Sequence, residues 1–396
     1  MSRSIGSSKL ARLDVKLALL FVVSQLGVWT GCNAILGNGY GAFDESASGG
    51  PGSEGGPESD ALVSGEGGPG ADGQGMGDGN GGDGNTGVDG SSVDSGSCPR
   101  MMCPTKLTDA IGAQRIALGT LFVYWTTATD VGRVGVDGSG TMSKGVIGGT
   151  IASNLKRGIA LQGGIPYVTV ADRGAAKCTA ALSDACNNMP FIGTAVLPVS
   201  SSLAVDGSKV YIGLFKDSTV THGGLWETDL NGGSLGTYTM PIDQMLAVRV
   251  VTTALYYMTT AALRFVSTLS LTATPADAVT LANPPVAFDV QGSTLVVATS
   301  ANEIRVCQSS PTANCVAAPG QTRGAPIAAV IVDGSMMIWA EGDSIYRAAL
   351  TTGAPAEILA TGQSSPVDLA VDNNFIYWAN HGDGTGIGGA IMKLAK

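Results

Sequence analysis

The sequence predicts an all-β fold: a seven-bladed β-propeller of four-stranded antiparallel blades over residues 98–396. A signal peptide (1–31) and a disordered Gly/Asp-rich tether (32–97) are expected to precede it. Three observations carry the propeller. A short apolar phrase centred on Tyr recurs seven times at steps of 39 to 45 residues. Two apolar columns, two residues apart, precede every copy. The last copy lacks the segment that would complete its fourth strand. Repeats of about 40 residues built from short strands are the mark of a propeller.

The copies of the phrase are Phe122-Val123-Tyr124-Trp125, Ile165-Pro166-Tyr167-Val168, Lys209-Val210-Tyr211-Ile212, Ala254-Leu255-Tyr256-Tyr257, Thr294-Leu295-Val296-Val297, Met336-Met337-Ile338-Trp339 and Phe375-Ile376-Tyr377-Trp378. Eight residues before the Tyr position stand Ile116, Ile159, Leu203, Val248, Phe288, Val330 and Leu369. Six before it stand Leu118, Leu161, Val205, Val250, Val290, Val332 and Val371. Alternation with period two is the signature of a strand face. The turn residues Asp206-Gly207, Asp333-Gly334 and Asp372-Asn373 follow, suited to tight hairpins. A third strand, such as Gly132–Val136 or Ser344–Ala348, and a weaker fourth complete each unit. The seventh repeat ends after its third strand, Ala390–Leu394, so residues 105–111 are expected to supply the missing strand and close the ring. The large rings of the repeated phrase then fill the wedges between blades, with their polar tips on neighbouring groups.

The N-terminal segment reads differently. Arg3, Lys9, Arg12 and Lys16 precede the apolar run Leu17–Val28, which is the layout of a secretory signal. The run ends in Trp29-Thr30-Gly31-Cys32. A small residue directly before Cys resembles the bacterial lipobox, which implies lipidation of Cys32; Trp29 departs from its usual Leu. Residues 33–97 hold 22 Gly, 11 acids and no Lys or Arg, too little apolar surface to offset ordering entropy. A flexible coil of that length spans roughly 45 Å. The net charge of −10 divides as +3 for residues 1–31, −11 for 33–97 and −2 for 98–396. The acidity therefore belongs to the tether, and no basic stripe offers a footing for nucleic acid.

Seven cysteines are present. With Cys32 set aside, six remain, and three local disulfides are expected: Cys98–Cys103, Cys178–Cys186 and Cys307–Cys315. The last two share one C-x7-C spacing at the same place in their repeats, between the third and fourth strands. That spacing fits neither the common zinc patterns nor C-x-x-C.

Tyr124-Trp125-Thr126-Thr127, Tyr377-Trp378-Ala379-Asn380 and Val136-Asp137-Gly138-Ser139-Gly140 resemble the YWTD repeats, the class B repeats of lipoprotein receptors. Together with the lipobox-like end and the tether, the chain resembles uncharacterised secreted propeller lipoproteins of Gram-negative bacteria. The resemblance covers about residues 98–396. It implies the fold and an outer-membrane anchor in the cell envelope, and it names no activity. The family's fourth-position Asp is replaced here by Thr127, Val170, Leu214, Thr259, Thr299, Glu341 and Asn380.

Chemistry is sparse. Only His222 and His381 are present, too few for a three-His zinc site, and P-loop and His-Glu-x-x-His motifs are absent. No metal and no cofactor is expected. The loops between second and third strands gather Asp130, Asp172, Arg173, Asp217, His222, Glu303, Glu341, Asp343, His381 and Asp383 on one face, a candidate binding face. Solvated turn residues are the plainer account of them. On the innermost strands a column of mostly Ala (Ala117, Ala160, Ala204, Ala370) is broken by Arg249 and Asp289 in adjacent repeats, a candidate ion pair at the channel. If formed, its loss through Arg249→Ala is expected to destabilise the fold markedly. The functional expectation is a monomeric, non-enzymatic binding module for a protein or glycan. The alternative is a propeller enzyme of lyase, lactonase or quinoprotein type with its site at the channel mouth.

Overall fold

The computed structural model of the protein describes residues 103–139, 143–146, 156–170, 174–182, 186–188, 200–214, 223–233, 235–242, 245–308, 315–317, 324–351, 354–383 and 387–396. Every regular element among them is a strand, and the strands form seven four-stranded antiparallel sheets. After β1 (Thr105–Asp109), blade one holds β2 (Arg115–Leu118), β3 (Phe122–Thr126), β4 (Asp130–Gly135) and β5 (Ser143–Val146). Blade two holds β6 (Ile159–Gln162), β7 (Ile165–Val170), β8 (Gly174–Lys177) and β9 (Asn187–Asn188). Blade three holds β10 (Ser200–Val205), β11 (Lys209–Leu214), β12 (Gly223–Asp229) and β13 (Leu235–Ile242). Blade four holds β14 (Met245–Val251), β15 (Ala254–Thr259), β16 (Leu263–Ser267) and β17 (Ala276–Val279). Blade five holds β18 (Pro285–Gln291), β19 (Thr294–Thr299), β20 (Ile304–Gln308) and β21 (Cys315–Ala317). Blade six holds β22 (Ile327–Asp333), β23 (Met336–Glu341), β24 (Ser344–Ala349) and β25 (Glu357–Ala360). Blade seven is β26 (Pro366–Val371), β27 (Phe375–Asn380) and β28 (Ala390–Ala395), with β1 as its outer strand.

The innermost strands β2, β6, β10, β14, β18, β22 and β26 neighbour one another in turn, and β26 returns to β2. The ring therefore closes through the two ends of the propeller segment, as the unfinished seventh repeat requires. Thr105 pairs with Lys393, Lys106 with Met392, Thr108 with Ile391 and Asp109 with Ala390, across a bulge at Leu107. The strand ends at Asp109 rather than continuing to residue 111, because Ala113 N–H bonds back to the carbonyl of Ala110 and turns the chain toward β2. Lys393 reinforces the seam: it donates to Val136 O of blade one at 2.6 Å and lies over the Phe375 ring. Closing the ring removes the free edge that β28 would otherwise present.

Each wedge between blades is filled by the columns read from the repeats. All seven residues of the column eight before the Tyr position are buried, as are all of those at the Tyr position and the one after it. The column six before it is only partly buried in most blades, because it stands next to the hairpin at the rim. Most of the Tyr tips in the column have hydrogen-bond partners. Tyr124 donates to Ala180 O (3.0 Å) and Tyr167 to Leu230 O (3.2 Å), each in the following blade. Tyr211 and Tyr377 instead donate to the hairpin carboxylates of Asp206 and Asp372, both at 2.9 Å. Those carboxylates also accept the N–H groups of Ser208 and Lys209, and of Asn374 and Phe375. One Asp-x4-Tyr unit thus closes the hairpin and anchors the ring.

Two of the expected disulfides are present, Cys178–Cys186 and Cys307–Cys315, each with Cα atoms 4.1 Å apart. Both staple the third strand of a blade to the fourth. The third, Cys98–Cys103, involves Cys98, which lies outside the described residues. The same holds for Cys32, the signal segment and the tether.

Candidate functional site

The loops between second and third strands emerge at the end of the ring where the innermost strands begin, so the candidate binding face and the channel mouth share one side. Several of the face residues are engaged in shaping their own loops. Glu341 is buried: one oxygen accepts the N–H groups of Gly324 (3.0 Å) and Ala325 (3.3 Å), and the other accepts Trp339 Nε1–H (3.1 Å). Asp130 accepts from Thr129 Oγ1, Glu303 pairs with Arg305 at 3.1 Å, and Asp343 accepts from Ser344 Oγ at 2.8 Å. Asp383 accepts Ile387 N–H and folds the loop of blade seven. His381 Nδ1 lies 3.0 Å from Ala113 O; a carbonyl can only accept, so Nδ1 carries the hydrogen. Asp172, Arg173, Asp217 and His222 lie outside the described residues. Among the described residues no three His, Cys, Asp or Glu side chains come together in a way that could hold a metal ion.

The column three residues after the Tyr position shapes the following loop in some blades. Thr127 Oγ1 accepts the N–H groups of Thr129 and Asp130, and Thr259 Oγ1 those of Ala261 and Ala262. A side-chain oxygen caps the turn in these two blades. Val170 and Leu214 cannot do so.

The charged groups that lie together are on the innermost strands. An innermost strand pairs on one side only, so alternate N–H groups on its other edge point toward the channel. Side chains of the preceding blade accept several of them. Asp368 Oδ2 accepts Ile116 N–H at 2.9 Å, Asp289 Oδ2 accepts Val332 N–H at 2.9 Å, and Gln114 Oε1 accepts Arg157 N–H at 2.8 Å. The expected Arg249–Asp289 pair is present at 3.8 Å, with the Arg side chain 43% exposed. Its geometry is loose, and the backbone of Val332 is the closer partner of Asp289. Burial pushes the Asp289 carboxyl above its usual range, against the opposing effects of Arg249 and the N–H groups of Val332 and Val290.

A second cluster, at the channel mouth, is not marked by the repeat columns. Arg115 of blade one reaches Asp368 of blade seven at 3.4 Å. Beside them Lys156, just ahead of β6, donates to Val367 O at 3.3 Å. Lys156 is partly buried. Burial, and then repulsion from Arg115, bring it down to about 8, with Asp368 opposing. Next to it Arg157 is fully buried and donates to three carbonyls, Thr127 O, Thr169 O and Ala128 O. It stitches the loop of blade one to β7, and burial lowers it to about 10 despite Asp130. Reading one column further out would have exposed Arg115 and Asp368, which stand nine residues before the Tyr positions of adjacent blades.

No protein-family model matches the chain, and no curated protein matches it by sequence. Solved structures do match in fold. Virginiamycin B lyase from Staphylococcus aureus superposes with a TM-score of 0.55 at 15% identity, covering 74% of this chain and 98% of the lyase. The computationally designed protein Ika8 superposes with a TM-score of 0.50 at 12% identity, again covering 74% and 98%. At such identities the likeness establishes the seven-bladed propeller and nothing about activity.

Proposed function

We propose that this chain is a secreted propeller lipoprotein, held to the outer membrane through Cys32 and its Gly/Asp-rich tether, whose loop face binds a partner. The observation that carries the binding reading is what that face leaves unsatisfied. Among the described residues its acids and imidazole are engaged with groups of their own blades and loops, while Ile111 and Ile387 project from it, 59% and 70% exposed. The two are neighbours: Ala110 N–H donates to Gly389 O at 2.9 Å, which sets the turn carrying Ile111 against the end of the blade-seven loop. Exposed apolar side chains rimmed by polar loops favour a protein surface. A glycan is less favoured, since the repeat aromatics that could stack on sugar are buried in the wedges. The YWTD-like phrases and the lipobox-like end are consistent with this reading.

Crosslinking of the full chain in cell envelopes, followed by mass spectrometry, tests it. A specific partner should be captured, and Ile111→Ser with Ile387→Ser should abolish its capture. Capture unchanged by the double substitution sinks the loop-face reading. Independently, Cys32→Ala should abolish lipid attachment in the intact mass; an unchanged mass removes the anchor. A second reading, a lyase-type enzyme with its site at the channel mouth, draws on the Arg115, Lys156 and Asp368 cluster. Following virginiamycin B by chromatography in the presence of the protein tests the nearest version of it, and an unconsumed substrate removes that version.

A further inference from the structure

We propose that Cys307–Cys315 is a redox latch on the outer strand of blade five, opened by a dithiol reductant while the rest of the ring stays folded. This goes beyond the partner-binding reading and does not depend on it. The case begins with how outer strands are held. β13 is eight residues long and β1 five. Two of the four-residue strands, β17 and β25, are each braced to the third strand by an ion pair, Arg264–Asp277 at 3.1 Å and Arg347–Glu357 at 2.7 Å. The two disulfides stand on the shortest outer strands, β9 with two residues and β21 with three. β21 is tied to β20 by three ladder pairs, Arg305 with Ala317, Val306 with Val316 and Cys307 with Cys315, and its middle residue Val316 is 49% exposed. So short a strand buries too little to offset the entropy of fixing its backbone. The disulfide supplies the difference.

The two staples differ in access. Cys178 and Cys186 are 4% and 7% exposed and share a buried cluster with Leu182, which the loop between them contributes. Opening that bridge means opening the wedge between blades one and two. In blade five Cys307 is buried at 3%, but Cys315 is partly exposed and packs at the edge of its cluster. An attacking thiolate needs a path to one sulfur, and Cys315 offers it. Two exchanges follow. A thiolate of the dithiol attacks Sγ of Cys315, the Cys307–Cys315 bond breaks, and Cys307 leaves as a thiolate. Its buried site favours the neutral thiol, so it takes up a proton. The second thiol of the reductant, as thiolate, attacks the mixed disulfide, closes the reductant's own disulfide and releases Cys315, which is protonated in turn. Two electrons and two protons pass from the dithiol to the cysteine pair. β21 then detaches, and the outer edge of β20 (Ile304–Gln308) is left as a template for a further strand.

The test uses the full chain with dithiothreitol as probe, at neutral pH and without denaturant. Timed alkylation with peptide mass spectrometry reads each bridge. Cys307 and Cys315 should be alkylated at least about tenfold faster than Cys178 and Cys186. Hydrogen exchange on protein reduced at that bridge alone should show β20 and β21 losing protection, while β8 and the innermost strands keep theirs. Far-ultraviolet circular dichroism should keep its β signal. Cys307→Ser with Cys315→Ser should show the same local loss of protection without reductant; if that variant fails to fold, reduction of the wild type decides. Four results overturn the proposal: both bridges opening at one rate, neither opening without denaturant, reduction that takes the whole β signal with it, or β20 and β21 keeping their protection once the bridge is open.

Discussion

Gly132→Ala should be among the most disruptive single-methyl changes in the ring. Gly132 on β4 pairs directly across from Trp125 on β3, and the indole lies over the glycine. A Cβ at residue 132 would stand 2.8 Å from Trp125 Cη2 and closer still to Cζ2 and Cε2. Carbon atoms settle at about 3.5–4.0 Å, so the ring would have to retreat by most of an ångström or more. It has nowhere to go. Trp125 is buried in the cluster that joins blades seven and one, among Ala113, Val123, Ala370 and Tyr377. Overpacking of a rigid core by one methyl costs about 1–3 kcal/mol, and the overlap here belongs at the upper end, about 3 kcal/mol. At about 2–4 °C per kcal/mol for a domain of this size or slightly smaller, Tm should fall by about 6–12 °C. Urea denaturation followed by far-ultraviolet circular dichroism reads the change without relying on the perturbed indole. Gly207→Ala is the control, since a Cβ there meets nothing within 4 Å and the backbone is not left-handed. It should be neutral or slightly stabilising. Pairing Gly132→Ala with Trp125→Leu should recover part of the loss, because the smaller side chain makes room. A Gly132→Ala protein within about 0.5 kcal/mol of wild type would refute the close approach on which the reasoning rests.

The Asp-x4-Tyr units give a pH signature. Burial opposes ionisation of Asp206 and Asp372, but hydrogen bonds from two backbone N–H groups and a Tyr hydroxyl outweigh it and hold both carboxyls below their usual range. Their stabilising contribution is complete above the unfolded value, about 3.9, and is lost as pH falls through the lower folded values. Asp372→Ala should cost about 2–3 kcal/mol near neutrality, and the gap from wild type should shrink in urea titrations carried toward pH 2. Each disulfide closes a short loop between partners eight residues apart, and Cys307→Ser with Cys315→Ser should lower stability by about 2.5 kcal/mol in the chain-entropy account, read from the urea midpoint. At the channel pair, Arg249→Ala should cost under about 1 kcal/mol, because the contact is loose and exposed. Asp289→Ala should cost about 1–3 kcal/mol, since it leaves Val332 N–H without its acceptor. Equal losses for the two would show that the ion pair, and not the backbone contact, is what matters. The sequence alone suggests a marked loss for Arg249→Ala, and the 3.8 Å geometry is the reason for the smaller figure.

The blades were legible because each repeat must bury the same two faces, and that demand writes itself into every copy. Phe288 stands where Ile116 and Val248 stand, and Val296 and Ile338 replace Tyr without disturbing the column, because the wedge asks for apolar volume. The closing strand was legible for a related reason: six complete units and one short of a strand leave β28 an open edge, and Thr105–Asp109 is the piece of chain left to cover it. Where a loop carboxylate points is not written in composition. Glu341 looks like a face residue and is instead a buried cap on Gly324, Ala325 and Trp339.

The channel cluster illustrates the opposite limit. Arg115 and Asp368 are 253 residues apart and meet only because the ring closes between blades seven and one. Lys156 joins them from blade two, just before a strand that begins at Ile159. No local pattern links the three, and each is a departure from its own column. Core columns repeat because the same wedge is built seven times, whereas a ligand in a central channel meets all the blades at once and needs no repetition. In a propeller the charged exceptions on the innermost strands, Arg115, Arg249, Asp289 and Asp368, together with Lys156 at the start of the next, are therefore set by which blades meet and not by the repeat. They must be read around the ring, blade against neighbouring blade, rather than along the chain.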